Sequence, residues 1–191
     1  MKNRFSAQTL AFAGVLVAMN IVLSRFVSIP IGESLRISVS SVPIILAGLW
    51  FGPVIGGICG FLGDLLGCFI SGYAPNPFIS LSAILMGVIP ALFVGFLSRG
   101  KQKGGGVGAF ALRYLRFLLV IALTMLITSQ GITTYGLSVM YGRPFVAQWF
   151  LRLPQSVLLL FVNSLLTCLL YDRVPRRLFD AGRVKKGGEA R

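Results

Sequence analysis

Residues 54–70 read VIGGICGFLGDLLGCFI, an apolar run in which Asp64 is the single charged residue. A carboxylate inside an apolar span is costly in lipid, so such a residue marks a candidate functional site. Its partner is either a donor group of a ligand or an arginine such as Arg152. The run also carries glycines at helical spacing, which give one smooth face for close helix packing, at positions 56, 60, 63 and 67. It predicts a membrane helix.

The composition of the whole chain agrees with this prediction. Of 191 residues, 55% are hydrophobic and 12% are charged, and the mean hydropathy is +0.85. A soluble domain carries about a quarter charged residues, and a disordered chain has few apolar residues, so this composition fits neither class. The chain has no histidine, which excludes histidine-based metal sites, proton relays and Ser-His or Cys-His catalytic pairs.

The positive charges follow the pattern of a membrane protein. Lys and Arg total 18 against 5 Asp and Glu, a net charge of +13. Because most of the cations flank apolar segments, the positive-inside rule accounts for them better than nucleic-acid binding does. Fourteen fall on one predicted side, including those in a basic, glycine-rich loop at 100–108. The four on the other side are Arg25, Arg36, Arg143 and Arg152.

The apolar segments predict an all-α, polytopic membrane protein with six transmembrane helices and both termini in the cytoplasm. Residues 1–178 form a single six-helix domain, followed by a basic cytoplasmic tail at 179–191. The three cysteines lie in apolar runs and are interpreted as packing residues. The spans are predicted at about residues 6–24, 39–51, 54–70, 78–97, 114–140 and 145–171.

Several residues at the predicted outer ends of the helices suit a polar, flat ligand. Arg25, Arg36 and Arg152 are candidates to bind an anion, whereas Arg143 is better explained by contact with lipid headgroups. Phe78 and Trp149 are candidates to stack on a ring, although an interfacial aromatic belt is the alternative. Helix–helix hydrogen bonds account for the polar residues Asn20 and Gln130.

A stripe of small residues marks one face of the first span, at Ala7, Ala11, Gly14 and Ala18. Small residues at this spacing allow another helix to approach the backbone closely. The stripe therefore serves either packing inside the bundle or docking onto a partner membrane protein.

Five short stretches resemble the substrate-binding S components of energy-coupling factor (ECF) vitamin transporters, with the folate-specific S components closest. The resemblance covers roughly residues 10–90 well. The stretches are GVLVAMNIVLSRF at 14–26, SVPIILAGLWFGP at 41–53, GDLLG at 63–67, GYAPNPF at 72–78 and LSAILMG at 81–87.

The resemblance implies a vitamin-binding subunit in a bacterial plasma membrane, surrounded by lipid, with no catalytic residues, metal or cofactor. It implies docking through Gly14 and Ala18 onto a transmembrane coupling protein that carries two ATPases. Loops at 26–38 and 71–79 would act as a lid, and the subunit would topple to deliver its ligand. Riboflavin is the alternative ligand, and a stand-alone carrier the alternative function. The candidate substrate-binding residues are Arg25, Arg36, Asp64, Asn76, Phe78, Ser82, Trp149 and Arg152.

Overall fold

A computed structural model of the chain describes residues 7–31, 35–72, 74–98 and 107–173. The predicted tail at 179–191 and most of the predicted basic loop at 100–108 lie outside the described residues. The elements are α1 (Ala7–Arg25), β1 (Ile29–Ile31), β2 (Leu35–Ile37), α2 (Ser41–Phe51), α3 (Pro53–Ser71), α4 (Pro77–Leu92), α5 (Val94–Ser98), α6 (Val107–Met125), a π-helical segment (Leu126–Thr133), α7 (Thr134–Tyr141) and α8 (Phe145–Arg173).

The described part of the chain is helical wherever a membrane span was predicted, with two differences in the boundaries. The predicted span at 78–97 is interrupted at Phe93, between α4 and α5. Pro90 supplies no N–H to the last turn of α4, and the Phe93 N–H turns back to the Pro90 carbonyl at 3.2 Å. Among the described residues, three helical stretches are long and apolar enough to cross a bilayer: Pro53–Ser71, Phe110–Tyr141 and Phe145–Tyr171.

The span predicted at 114–140 begins earlier, because α6 starts at Val107. The prediction stopped short because Arg113 and Arg116 suggested the end of a span. In the structure both guanidinium groups lie over aromatic rings, of Phe117 at 5.7 Å and of Phe96 at 5.8 Å. Such contacts let the long arginine stems remain on an apolar helix. Because α6 begins at Val107, the last two residues of the predicted basic loop, 107 and 108, are helical.

A two-stranded hairpin follows α1, so the prediction of an all-α chain holds for the bundle but not for this connection. β1 and β2 pair antiparallel, with Ile29 opposite Ile37. Hydrogen bonds tie the exit from the hairpin to α1: Ser38 Oγ donates to the Leu23 carbonyl at 2.9 Å, and Asn20 Nδ2 donates to the Ser40 carbonyl at 2.7 Å. β2 also contacts α8. The hairpin region is therefore held by contacts with both α1 and α8.

Helices α2, α3 and α4 pack backbone against backbone through glycine. A Cβ added at Gly56 would lie 2.7 Å from the Gly87 carbonyl oxygen, and one at Gly60 would lie 2.7 Å from the Ala83 carbonyl carbon. Gly48 and Gly87 are in equally close contact. The predicted role of the glycines at 56 and 60 in close helix packing is therefore confirmed. Real side chains do not fit at these distances, so the three helices form one tightly packed group.

The rest of the core is apolar and the outer surface is apolar as well. Ile45 of α2 packs with Phe117 and Ile121 of α6 in the interior. On the outside, large apolar side chains are exposed, such as Leu10 at 71% and Phe150 at 62%. A soluble protein rarely exposes so much apolar surface, and this pattern fits a protein surrounded by lipid.

Candidate functional site

The π-helical segment exchanges hydrogen bonds with α4 and α7, donating one and accepting two. Thr133 Oγ1 donates to Ser82 Oγ at 2.7 Å, and Ser82 Oγ in turn donates to the Thr128 carbonyl at 3.1 Å. Thr134 Oγ1 donates to the Ser129 carbonyl at 3.0 Å. Short π-helical stretches interrupt the normal ladder and occur frequently at functional sites. Ser82, a predicted site residue, is 4% exposed and is fixed by these bonds.

Arg152 reaches the same network from α8. Its Nη1 donates to Thr134 Oγ1 at 3.2 Å, its Nε is buried without a hydrogen-bond partner, and the residue is 8% exposed. Asp64, the one acidic residue whose side chain is described, is bonded elsewhere, so the predicted alternative of an Asp64–Arg152 pair is wrong. The described part of the chain thus contains a buried guanidinium for which it supplies no carboxylate.

Asn76 and Phe78 join this region from the start of α4. Asn76 Oδ1 caps the helix by accepting from the Phe78 N–H at 2.9 Å, and Asn76 Nδ2 donates to the Gly136 carbonyl at 3.5 Å. The Phe78 ring meets the Tyr135 ring edge-on, with centroids 5.3 Å apart. Four predicted site residues therefore converge on the π-helical segment and α7: Asn76, Phe78, Ser82 and Arg152.

The cap makes Asn76 a test of how this region is held together. We expect Asn76→Ala to lower the free energy of unfolding by about 1 kcal/mol, because α4 loses its N-terminal acceptor. For a chain of this size that corresponds to a fall of roughly 3 °C in the melting temperature in detergent. Asn76→Ser keeps a capping oxygen and should retain most of the stability; equal losses in both variants would contradict the capping role.

Asp64 and Arg25 form a second group on α1, α3 and α4. Ser80 Oγ donates to Asp64 Oδ2 at 2.7 Å, and the Cys68 thiol donates to Asp64 Oδ1 at 4.0 Å. Arg25 crosses from α1 and lies against Gly67, where an added Cβ would be 2.8 Å from Nη2. Its Nε is buried without a hydrogen-bond partner. Cys68, interpreted from sequence as a packing residue, also contacts the Asp64 carboxylate.

Of the two remaining predicted site residues, Trp149 is joined to neither group by a described contact, and the side chain of Arg36 lies outside the described part of the chain. Arg36 lies in β2 opposite Pro30. Trp149 is partly buried on α8, and its ring meets that of Phe150 edge-on at 5.2 Å. The roles of both residues stay predictions, and β2 contacts α8.

Gln148 is the residue near this site that the sequence interpretation missed. It is 2% exposed, and both its Nε2 and its Oε1 lack a hydrogen-bond partner. A signal was available, because Gln148 precedes Arg152 by four residues and so shares its helix face. By contrast, the helix–helix hydrogen bond predicted for Gln130 is confirmed: its Nε2 donates to Ser156 Oγ at 2.7 Å.

Gly14 and Ala18, the predicted docking residues, lie in an apolar groove. Both are exposed, and a Cβ added at Gly14 would meet nothing within 4 Å, so Gly14 does not serve packing inside the described bundle. The groove runs between α1 and α3 and has a volume of about 430 Å³. Its α3 wall is formed by aliphatic side chains that include Ile55, Ile58 and Leu62.

Comparison with known proteins decides the family. The family model described as "ECF-type riboflavin transporter, S component" matches residues 4–176. The chain belongs to this family. The S component is also similar to the folate transporter FolT of Clostridium novyi (strain NT), with 24% identity over 159 residues, 81% of this chain and 82% of the relative.

A solved structure gives the same result for the fold. The S component is similar to a crystal structure of FolT bound with folic acid, with a TM-score of 0.69 and 28% identity, covering 88% of this chain and 95% of that one. The resemblance found in the sequence, to ECF S components and in particular to the folate-specific ones, is confirmed. Both relatives and the family are transporter components, so this S component is a membrane transport protein and not an enzyme.

Proposed function

We propose that this S component binds folate at the outer face of a bacterial plasma membrane and passes it inward with a coupling protein and two ATPases. The similarity to FolT supports the ligand, and the family supports the partners. The six helical segments would cross the membrane with both termini in the cytoplasm. This orientation puts Arg25, Arg152 and the hairpin on the outer side. The domain would extend over residues 1–178, with residues 179–191 as a cytoplasmic tail.

The buried guanidinium of Arg152 is the observation that carries the choice of ligand. A buried cation needs an anionic partner, and no described carboxylate pairs with it. Folate carries two carboxylates on its glutamyl group, and an arginine binds a carboxylate with two parallel hydrogen bonds. Riboflavin, the ligand in the family description, is neutral and would leave Arg152 without a counter-ion. Folate therefore fits the charge of the site better.

The other residues divide between the two ends of such a ligand. Asp64, held by Ser80, would accept hydrogen bonds from N–H groups of the pterin, and Phe78 would contact the flat ring. Ser82 and Asn76 would hold α4 in place against the π-helical segment. Arg25 would add a second positive charge near Asp64. Arg36 and Trp149 would act from the hairpin and the start of α8, as part of the lid together with the loop at 71–79.

Binding by the purified protein tests this proposal directly. Folic acid and riboflavin are titrated into the S component in detergent, with heat or tryptophan fluorescence as the signal. Tight, saturable binding of folic acid with none of riboflavin is the expected result. Binding of riboflavin but not of folic acid would identify riboflavin as the ligand. Transport by the S component alone in vesicles would favour a stand-alone carrier.

The groove between α1 and α3 is the proposed contact with the coupling protein. Gly14 and Ala18 on its α1 wall leave the α1 backbone accessible. Small residues of this kind are typical where membrane helices associate closely. A helix of the coupling protein is the proposed occupant, because a lipid chain would not require a small residue at Gly14.

Docking predicts a separation between binding and transport. We expect Gly14→Val to leave folic acid affinity unchanged, since Gly14 lies about three helical turns before Arg25 and an added Cβ there meets no neighbour. The same substitution should abolish ATP-dependent uptake in vesicles that contain the full transporter. Gly108→Val is the matched control, because a Cβ there also meets nothing within 4 Å. Normal uptake by Gly14→Val would mean that lipid fills the groove.

A further inference from the structure

Gln148 has the properties of a ligand-binding residue. It is 2% exposed and neither of its amide atoms has a hydrogen-bond partner. Burying an amide without partners is unfavourable, and replacing it with an apolar side chain of similar shape would relieve the cost. A buried glutamine with a free donor and a free acceptor is thus poorly explained by the stability of the ligand-free fold. It is well explained by a ligand that supplies both partners.

The position of Gln148 relative to Arg152 restricts what that ligand group is. Residues four apart on a helix lie on the same face, about 6 Å apart along the axis. A carboxylate is better matched by Arg152, so Gln148 is left to bind a neutral group with one donor and one acceptor, such as an amide. The pair therefore calls for a ligand in which an amide lies within about one helical turn of a carboxylate.

We infer that Gln148 and Arg152 together recognise an N-acyl-glutamate group, with Gln148 bound to the amide and Arg152 to a carboxylate. In folate this group is the benzoyl-glutamate end; the amide and the glutamyl carboxylates are a few bonds apart, whereas the pterin is at the far end of the molecule. The inference rests on the proposed function, and it assigns one end of the ligand to α8. It also makes Gln148 a determinant of specificity for the glutamylated form of the vitamin.

The experiment compares three ligands across variants of the intact S component in detergent. Folic acid and its 4-amino analogue methotrexate both carry the acyl-glutamate group but differ in the pterin. Pteroic acid has the pterin of folic acid and lacks the acyl-glutamate amide. We expect Gln148→Leu to weaken folic acid and methotrexate binding equally, by about ten- to a hundredfold. Pteroic acid binding should weaken less, because its benzoate carboxylate supplies only acceptors where the amide of folic acid supplies a donor and an acceptor.

A measurement without ligand separates this role from a purely structural one. Gln148→Leu removes a buried amide that has no partner, so the melting temperature of the ligand-free protein should stay the same or rise. Gln155→Leu, the same change two turns along α8, is the control and should not discriminate between the three ligands. Gln148→Asn tests whether the length of the side chain matters. It should weaken the binding of both acyl-glutamate ligands, because the shorter side chain does not reach the amide.

Other results would overturn the inference. Loss of folic acid and pteroic acid binding with methotrexate binding retained would assign Gln148 to the pterin instead. Equal affinities of Gln148→Leu and the parent for all three ligands would remove Gln148 from the site. Failure of the parent protein to bind folic acid at all would instead refute the proposed function, so the two failures are distinguishable.

Discussion

Arg152→Met is expected to weaken folic acid binding at least about a hundredfold, because it removes the partner of a carboxylate that is buried on binding. Arg152 is 8% exposed, and its guanidinium donates a hydrogen bond to Thr134 Oγ1. Arg152→Lys keeps the charge but loses the paired donors, and should recover only part of the affinity. Calorimetric titration of the purified variants measures the effect.

Arg143 provides the matched control for this experiment. It lies just before α8, is exposed, and its guanidinium is 5.9 Å from the centre of the Tyr141 ring. Arg143→Met removes the same charge close to the same helix and should change folic acid affinity by less than about threefold, since exposed charges act weakly. Equal losses in both variants would show that overall positive charge attracts the ligand, and would contradict a specific role for Arg152.

Gly60→Val is expected to destabilise the fold far more than loss of the Asn76 cap does. The new side chain would overlap the Ala83 backbone, which cannot move aside as a flexible side chain can. Forcing extra atoms into a packed contact costs about 3 kcal/mol or more when backbone must shift. The melting temperature in detergent should fall by roughly 10 °C, or the protein should fail to accumulate in the membrane.

Gly108→Val serves as the control for this substitution, because it adds the same atoms to a helical glycine with open space around it. It should melt within about 2 °C of the parent, as surface substitutions generally do. A stable Gly60→Val protein that still binds folic acid would mean that α3 and α4 can separate without harm, contrary to the packing observed.

Most of the bundle could be predicted from the sequence, because lipid imposes simple rules on a chain that spans it. Apolar length located the helices, and glycine spacing identified the tightly packed face of α3. The hairpin was missed because three-residue strands leave no periodic pattern. The early start of α6 was missed because arginine marks the end of a span unless an aromatic ring shields it, as Phe117 and Phe96 do in this bundle.

The site was only partly predictable, since its residues are brought together by a local irregularity. Asp64 and Arg152 are conspicuous as charges in apolar runs, and the sequence suggested that they pair. The structure separates them, because Ser80 bonds Asp64 while Thr134 bonds Arg152. No composition signal marks the π-helical segment that accepts the bonds from Ser82 and Thr134. Gln148 is recognised only once its burial and its lack of partners are known.

The glycine contacts between α2, α3 and α4 have a consequence for how ligand preference could change during evolution. Those contacts involve backbone atoms that an added side chain would overlap, so the glycine positions have little freedom to vary. Gln148, Arg152 and Thr134 lie on other elements, α7 and α8, where side chains can be exchanged without disturbing the glycine contacts. If Gln148 and Arg152 bind the acyl-glutamate end as proposed, a lineage of such proteins could therefore change its preference for that end by altering α7 and α8 alone, while the glycine contacts of α2, α3 and α4 are inherited unchanged.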